Sequence, residues 1–183
     1  MKLQKHLGSA ALMAMTVIIT VACATVQEKT ESFLFDGPRR LAAPFEGWLR
    51  TVEVVSNSIP LSEEYALISD SLVATASKFG FVLSVTRGDQ PYVVDLVMHE
   101  RSSVVDLSTR NSVMAVLNVS TSSEAPGGLA RVVHSAVTPD SIVSLYQVTQ
   151  IGEKVFASLR ASMDERLQKE KEAGKKKPAA PVP

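Results

Sequence analysis

The chain of 183 residues holds one cysteine and one tryptophan, and its aromatic residues make up only 5%. A single cysteine excludes an intrachain disulfide, so a folded domain here stands on its core alone. Its three histidines, His6, His99 and His134, lie far apart in sequence. A zinc site takes three or four ligands in tight geometry, so neither a metal nor another cofactor is expected. The formal net charge is 0, which gives no long-range attraction to nucleic acid. Basic patches interleaved with aromatic residues are also missing, and a nucleic-acid partner is not expected. No serine sits in a Gly-x-Ser-x-Gly elbow, and Gly127-Gly128 lacks the Lys-Ser/Thr that completes a phosphate loop. The longest uncharged apolar stretch, Leu7 to Ala22, falls short of the roughly 20 residues of a comfortable membrane-spanning helix.

That stretch has the form of a processed leader. Lys2, Lys5 and His6 precede it, and small residues end it just before Cys23. The tetrad Thr20-Val21-Ala22-Cys23 resembles the bacterial lipobox. The resemblance implies that the Cys23 thiol receives a diacylglyceryl group and that the leader is cut before it. The new amine is then often acylated as well. Each buried CH₂ contributes about 0.8 kcal/mol, so two or more chains hold a protein stably on a membrane. The competing reading is an ordinary cleaved signal peptide with an incidental cysteine. Ala24 follows where an aspartate would signal inner-membrane retention in enteric bacteria, which favours the periplasmic side of an outer membrane.

Hydrophobic residues are 45% and charged residues 21%, ordinary values for a globular domain. Residues 1–22 read as signal peptide and 23–45 as a lipidated tether and N-terminal arm. Residues 46–166 read as one domain, and 167–183 as a charged, Lys/Pro/Ala-rich disordered tail that holds Lys175-Lys176-Lys177. Trp48 to Ser56 reads as the first strand, with Trp48, Val52 and Val54 on one face. Ser62 caps a helix whose apolar stripe is Tyr65, Ile68, Leu72, Ala76 and Phe79, with Gly80 as its stop. Phe81 to Val85 is a possible short strand, and Arg87-Gly88-Asp89 reads as a turn.

Tyr92 to Arg101, Thr109 to Thr121 and Leu129 to Val137 read as Val-rich strands. Thr138-Pro139-Asp140 starts a second helix, with a stripe of Ile142, Leu145, Val148, Gly152, Val155, Leu159 and Met163. The expected fold is α+β: a two-layer, four-stranded, mostly antiparallel sheet with two helices on one face, in the order β-α-β-β-β-α. Its other face is only partly polar and is free to receive a partner.

Val52 to Ser58, the following helix with Leu67 and Leu72, and the closing Gly80-Phe81 resemble segments of small envelope lipoproteins. These are the LptE-like lipopolysaccharide-assembly lipoproteins and, more distantly, the CsgG-type secretion-channel lipoproteins and the LpoB-like activators of peptidoglycan synthases. The resemblance implies an α+β fold and a general envelope role.

Three functions are open on these residues. The first is a non-catalytic accessory lipoprotein, attached to membrane lipid through acylated Cys23, that binds an envelope protein. The alternative is a carrier or sensor of a small amphiphile held between helices and sheet. An enzyme would have to assemble an acid/base pair from Asp95, His99, Asp106 or His134. No catalytic residue is assigned, and Cys23 is the one site residue.

Overall fold

The computed structural model describes residues 28–36, 40–41, 44–55, 65–105, 108–121, 128–138 and 145–176. The leader, Cys23, the cap at Ser62, Asp106, Pro139-Asp140 and the tail beyond Lys176 lie outside the described residues.

The expected four-stranded sheet is corrected to a six-stranded mixed sheet. Its strands, in chain order, are β1 (Glu28–Leu34), β2 (Phe45–Val55), β3 (Phe81–Ser84), β4 (Tyr92–Val105), β5 (Ser108–Ser120) and β6 (Ala130–Thr138). Helix α1 (Tyr65–Ser77) lies between β2 and β3, and α2 (Leu145–Lys176) follows β6. Side by side the strands run β1-β6-β5-β4-β2-β3. Two segments account for the difference. Glu28–Leu34 belongs to the expected tether and arm, but it pairs antiparallel with β6 as an edge strand. Phe81–Ser84 pairs parallel with the start of β2 at the other edge.

The strand pairing also differs from a mostly antiparallel plan. β2 runs parallel to both β3 and β4, because α1 carries the chain back across the sheet before β3. The β4, β5, β6 and β1 pairings are antiparallel.

One face of the sheet and the apolar stripes of both helices close a single core. Ile68, Leu72 and Ala76 of α1 and Val148, Val155, Phe156 and Leu159 of α2 meet Leu96, Met98, Ala115, Leu117 and Val132. Full burial of such a side chain contributes roughly 1.5–3 kcal/mol. At one end Phe45 stacks on Tyr92 with centroids 4.7 Å apart and meets Phe81 edge-on at 5.0 Å.

Two glycines have definite roles. Gly80 has a φ of 79°, the left-handed conformation that ends a helix cheaply only without a Cβ. Gly152 of α2 lies against α1, where an added Cβ would stand 2.6 Å from Leu72 Cδ2. Beside it, Ser71 and Thr149 share a 2.8 Å hydrogen bond between the helices.

Candidate functional site

Alternation along each strand sends every second side chain away from the helices. Strand register then lines these up in rows across the open face. The central row is Glu31, Val133, Val116, Val97 and Glu53, an apolar band with a carboxylate at each end. On one side lies the row Lys29, Ser135, Met114, His99 and Val55, and on the other Phe33, Arg131, Asn118, Asp95 and Thr51.

The second of these flanking rows is tied together laterally. Arg131 Nε donates to Asn118 Oδ1 at 2.9 Å. Arg50 donates through two nitrogens to the two oxygens of Asp95. That forked contact buries the Asp95 carboxylate on a face that no element among the described residues covers. In return, the hydrogen bonds to Asp95 raise the already high pKa of Arg50.

Arg50 reaches this position through a bulge. The β2–β4 register shifts between Leu49 and Thr51, so Arg50 is an extra residue that re-aims the strand. The shift also corrects the expected placement of Trp48. Trp48 pairs with Val93 and therefore shares the open face with Thr51 and Glu53, not the core face of Val52 and Val54. The Arg87 guanidinium lies 5.4 Å from the Trp48 ring centroid, within cation–π range. Arg87-Gly88-Asp89 forms the bend between β3 and β4, where the Gly88 amide donates to Gln90 Oε1 at 2.7 Å.

The candidate acid/base residues are divided by the sheet. Asp95 and His99 lie on the open face of β4, four residues apart and so about 13 Å apart along the strand. His134 is buried on the opposite face, paired with Ala115 and Thr30. Thr30 Oγ1 lies 2.8 Å from His134 Nδ1, and Glu28 Oε1 lies 3.6 Å from its Nε2. Glu28 is itself ion-paired with Lys154. Burial lowers the His134 pKa; Glu28 works against that shift and Lys154 adds to it. Burial is the largest of the three effects and sets the direction. Among the described residues no three His, Cys, Asp or Glu side chains gather as metal ligands. No helix among them is long and apolar enough to cross a membrane.

Several exposed apolar side chains lie on the open face, while others, such as Leu67 of α1 and Leu167 of α2, lie on the helices. Phe33 is 47% exposed, Met114 46%, and Val55 and Val137 40% each. Around Met114 a shallow groove of about 1060 Å³ runs between Val55 and Val137, with Glu28, Lys29, His99, Glu100 and Arg101 along it. The layer between helices and sheet is occupied by fully buried side chains such as Leu72, Leu96, Leu117 and Phe156. Contiguous apolar surface rimmed by polar groups is the form of an interaction surface. Sequence alternation marks most of this face, but not Arg50. Its one trace is the polar pair Arg50-Thr51, which breaks the two-residue period of β2.

No family model matches the chain, and no curated protein matches it. Among solved structures, the chain is similar to the PelC dodecamer from Paraburkholderia phytofirmans. The identity is 12%, with 73% of this chain and 98% of that one covered and a TM-score of 0.49. A minor lipoprotein from Acinetobacter baumannii matches at 9% identity over 66% of this chain and 93% of that one, with a TM-score of 0.43. A putative neuraminyllactose-binding hemagglutinin homolog from Helicobacter pylori matches at 14% identity over 74% and 91%, with a TM-score of 0.37. Similarity at this level leaves the chemistry of the face to this chain's own residues.

Proposed function

We propose that the chain is a non-catalytic accessory lipoprotein of a bacterial cell envelope. It is held through acylated Cys23 on the periplasmic side of the outer membrane, and its open sheet face binds an envelope protein. The observation that carries this reading is the Val133–Val116–Val97 row, which no element among the described residues covers and which charged groups bound. A partner that covers the row gains apolar burial, and Glu31 and Glu53 at its ends give register to basic groups on that partner. The leader and the tetrad ending at Cys23 support the anchor.

The test is crosslinking in intact cells, followed by mass spectrometry of what travels with the wild-type chain and with a Cys23→Ala control. One dominant envelope protein recovered only with the acylated form supports the accessory role. Absence of any specific partner refutes it.

The groove beside Met114 favours a second reading, a carrier or sensor of a small amphiphile. Its apolar floor suits an acyl chain, and the cations Lys29 and Arg101 beside the carboxylates Glu28 and Glu100 suit a head that carries both charges. Native mass spectrometry of several preparations tests this, and a chain free of co-purifying ligand rules it out.

A further inference from the structure

The two edges of the sheet are guarded differently. β1, at one edge, is Glu-Lys-Thr-Glu-Ser-Phe-Leu, with Lys29 ion-paired to Glu31. Charged side chains on an edge discourage further strand pairing. β3 is the last strand at the other edge, and among the described residues it pairs only with β2. From Phe79 to Thr86 the sequence is Phe-Gly-Phe-Val-Leu-Ser-Val-Thr, without a charge or a proline. Lys78 and Arg87 flank this run, but both are engaged within their own chain. Lys78 is ion-paired with Glu153 of α2, and Arg87 lies over the Trp48 ring. Phe81 and Leu83 are buried, while Val82 is 62% exposed and Val85 47%. The chain is described without a break from α1 through β3 to β4.

The helix above continues this edge. α2 lies over β1, β6 and β5, and α1 lies over β2 and β3. Ser71 and Leu72 turn one side of α1 toward α2, at Thr149 and Gly152. At about 100° per residue, Ala66, Ser69, Val73 and Ser77 fall on the opposite side, toward the outer edge of β3. All four are short side chains. Asp70, the charge nearest to them on the helix, falls farther round and is exposed to solvent.

A four-residue strand is too small to hold a partner by itself, since a standard stable interface covers roughly 800 Å² on each side. The occupant must cover the strand and the helix flank together. A two-fold axis does this with a second copy, because it sets strand against strand and flank against flank. With the axis at Val82, antiparallel pairing places Val82 against Val82 of the second copy and Phe81 against Leu83 of the second copy. Apolar residues then meet apolar residues on both faces of the sheet. Glu46 lies beside Val82 on β2, so the Glu46 residues of the two copies stand three strand spacings apart. That is about 14 Å, beyond the screening length at physiological salt.

We propose that two copies of this chain pair through β3, antiparallel about a two-fold axis at Val82, and join their sheets into one. The open faces of both copies then lie on the same side of the joined sheet, and the dimer leaves them uncovered. The pairing does not depend on acylation of Cys23.

The test uses the full-length chain in intact cells with one cysteine added, by Val82→Cys or by Ser84→Cys. Position 82 meets its own copy at about 5 Å between Cα atoms, within disulfide range. Position 84 lies four residues out of step with its own copy, about 13 Å along the strand. Mild oxidation is expected to give several-fold more disulfide-linked dimer at 82 than at 84. The wild-type chain, whose only cysteine is Cys23, sets the background. Dimer at background level at 82, or equal yields at the two positions, overturns the proposal. A disulfide adduct of another mass puts a different protein on this edge and overturns it as well. A second readout adds no thiol. In mild detergent the purified wild-type chain is expected to sediment toward twice the monomer mass as its concentration rises, while Val82→Lys stays a monomer. A wild-type chain that remains monomeric throughout overturns the proposal.

Discussion

Arg50 donates from Nε to Oδ1 of Asp95 at 2.9 Å and from Nη2 to Oδ2 at 2.6 Å. The Asp95 side chain is only 8% exposed and that of Arg50 is 38% exposed, so the carboxylate depends on the arginine more than the reverse. Arg50→Ala therefore leaves a buried carboxylate short of two donors, and a loss of about 1–3 kcal/mol is expected in urea unfolding. Asp95→Asn keeps the shape and removes the charge, so its loss should be smaller. Equal stability of Arg50→Ala and wild type would show that the contact is not maintained in solution.

His134 gives the fold a pH dependence on the acid side. Its folded pKa is below the ordinary value of 6.5 because burial disfavours the charged ring. The unfolded chain therefore binds the proton more readily. Stability from this residue is complete above about pH 6.5 and is lost as pH falls through the lowered folded pKa. Urea midpoints measured from pH 7.5 down to 5 should fall for wild type and fall less for His134→Gln. Parallel curves for the two proteins would remove His134 as the cause.

Gly152 and Leu72 fix how closely the helices approach. In an open helix Gly152→Ala would add about 1 kcal/mol of stability. Here the new methyl group meets the buried Leu72 side chain at 2.6 Å, and overpacking costs about 1–3 kcal/mol. Net destabilisation is expected, and it should shrink in a Leu72→Ala background, where space exists. Thermal unfolding of the four proteins in this double-mutant cycle measures the coupling.

The open face can be tested without unfolding the protein. Val97 and Val116 are directly opposed and partly exposed. Val97→Lys with Val116→Glu places opposite charges on a cross-strand pair, an arrangement that sheets tolerate. The melting temperature should change by only a few degrees, while crosslinking to the envelope partner is abolished. Undiminished crosslinking would move the interface to another surface.

Much of this architecture can be read from residue patterns. The alternation Val113, Ala115, Leu117, Val119 and the stripe Ile68, Leu72, Ala76 place those residues in the core, where they are buried. The two edge strands are harder to read. β1 is Glu-Lys-Thr-Glu-Ser-Phe-Leu, and its core-facing positions are Thr30, Ser32 and Leu34. Most of that row is polar because its partners are polar too: His134 for Thr30, and Ser162 of α2 with the Ser158 carbonyl for Ser32. Hydrophobic periodicity carries no signal from a strand held in this way. β3 has four residues, too few for a period to establish itself. The Arg50–Asp95 contact is hidden for another reason. It depends on the register of two strands separated by α1 and β3, and a bulge sets that register.

The pairing of β1 with β6 has a consequence for the order of events. Thr30 and His134 are 104 positions apart, so the first strand to be synthesised stays without its neighbour until almost the whole chain is available. Contacts of such long range slow folding, because the loop between them must be closed before they contribute. The β4–β5–β6 meander is local and can assemble first, with α2 packed on it. β1 is then the last piece to seat, sliding in between the free edge of β6 and the serines of α2. If that final step reverses on its own, residues 28–34 should exchange their amide hydrogens long before the rest of the sheet does.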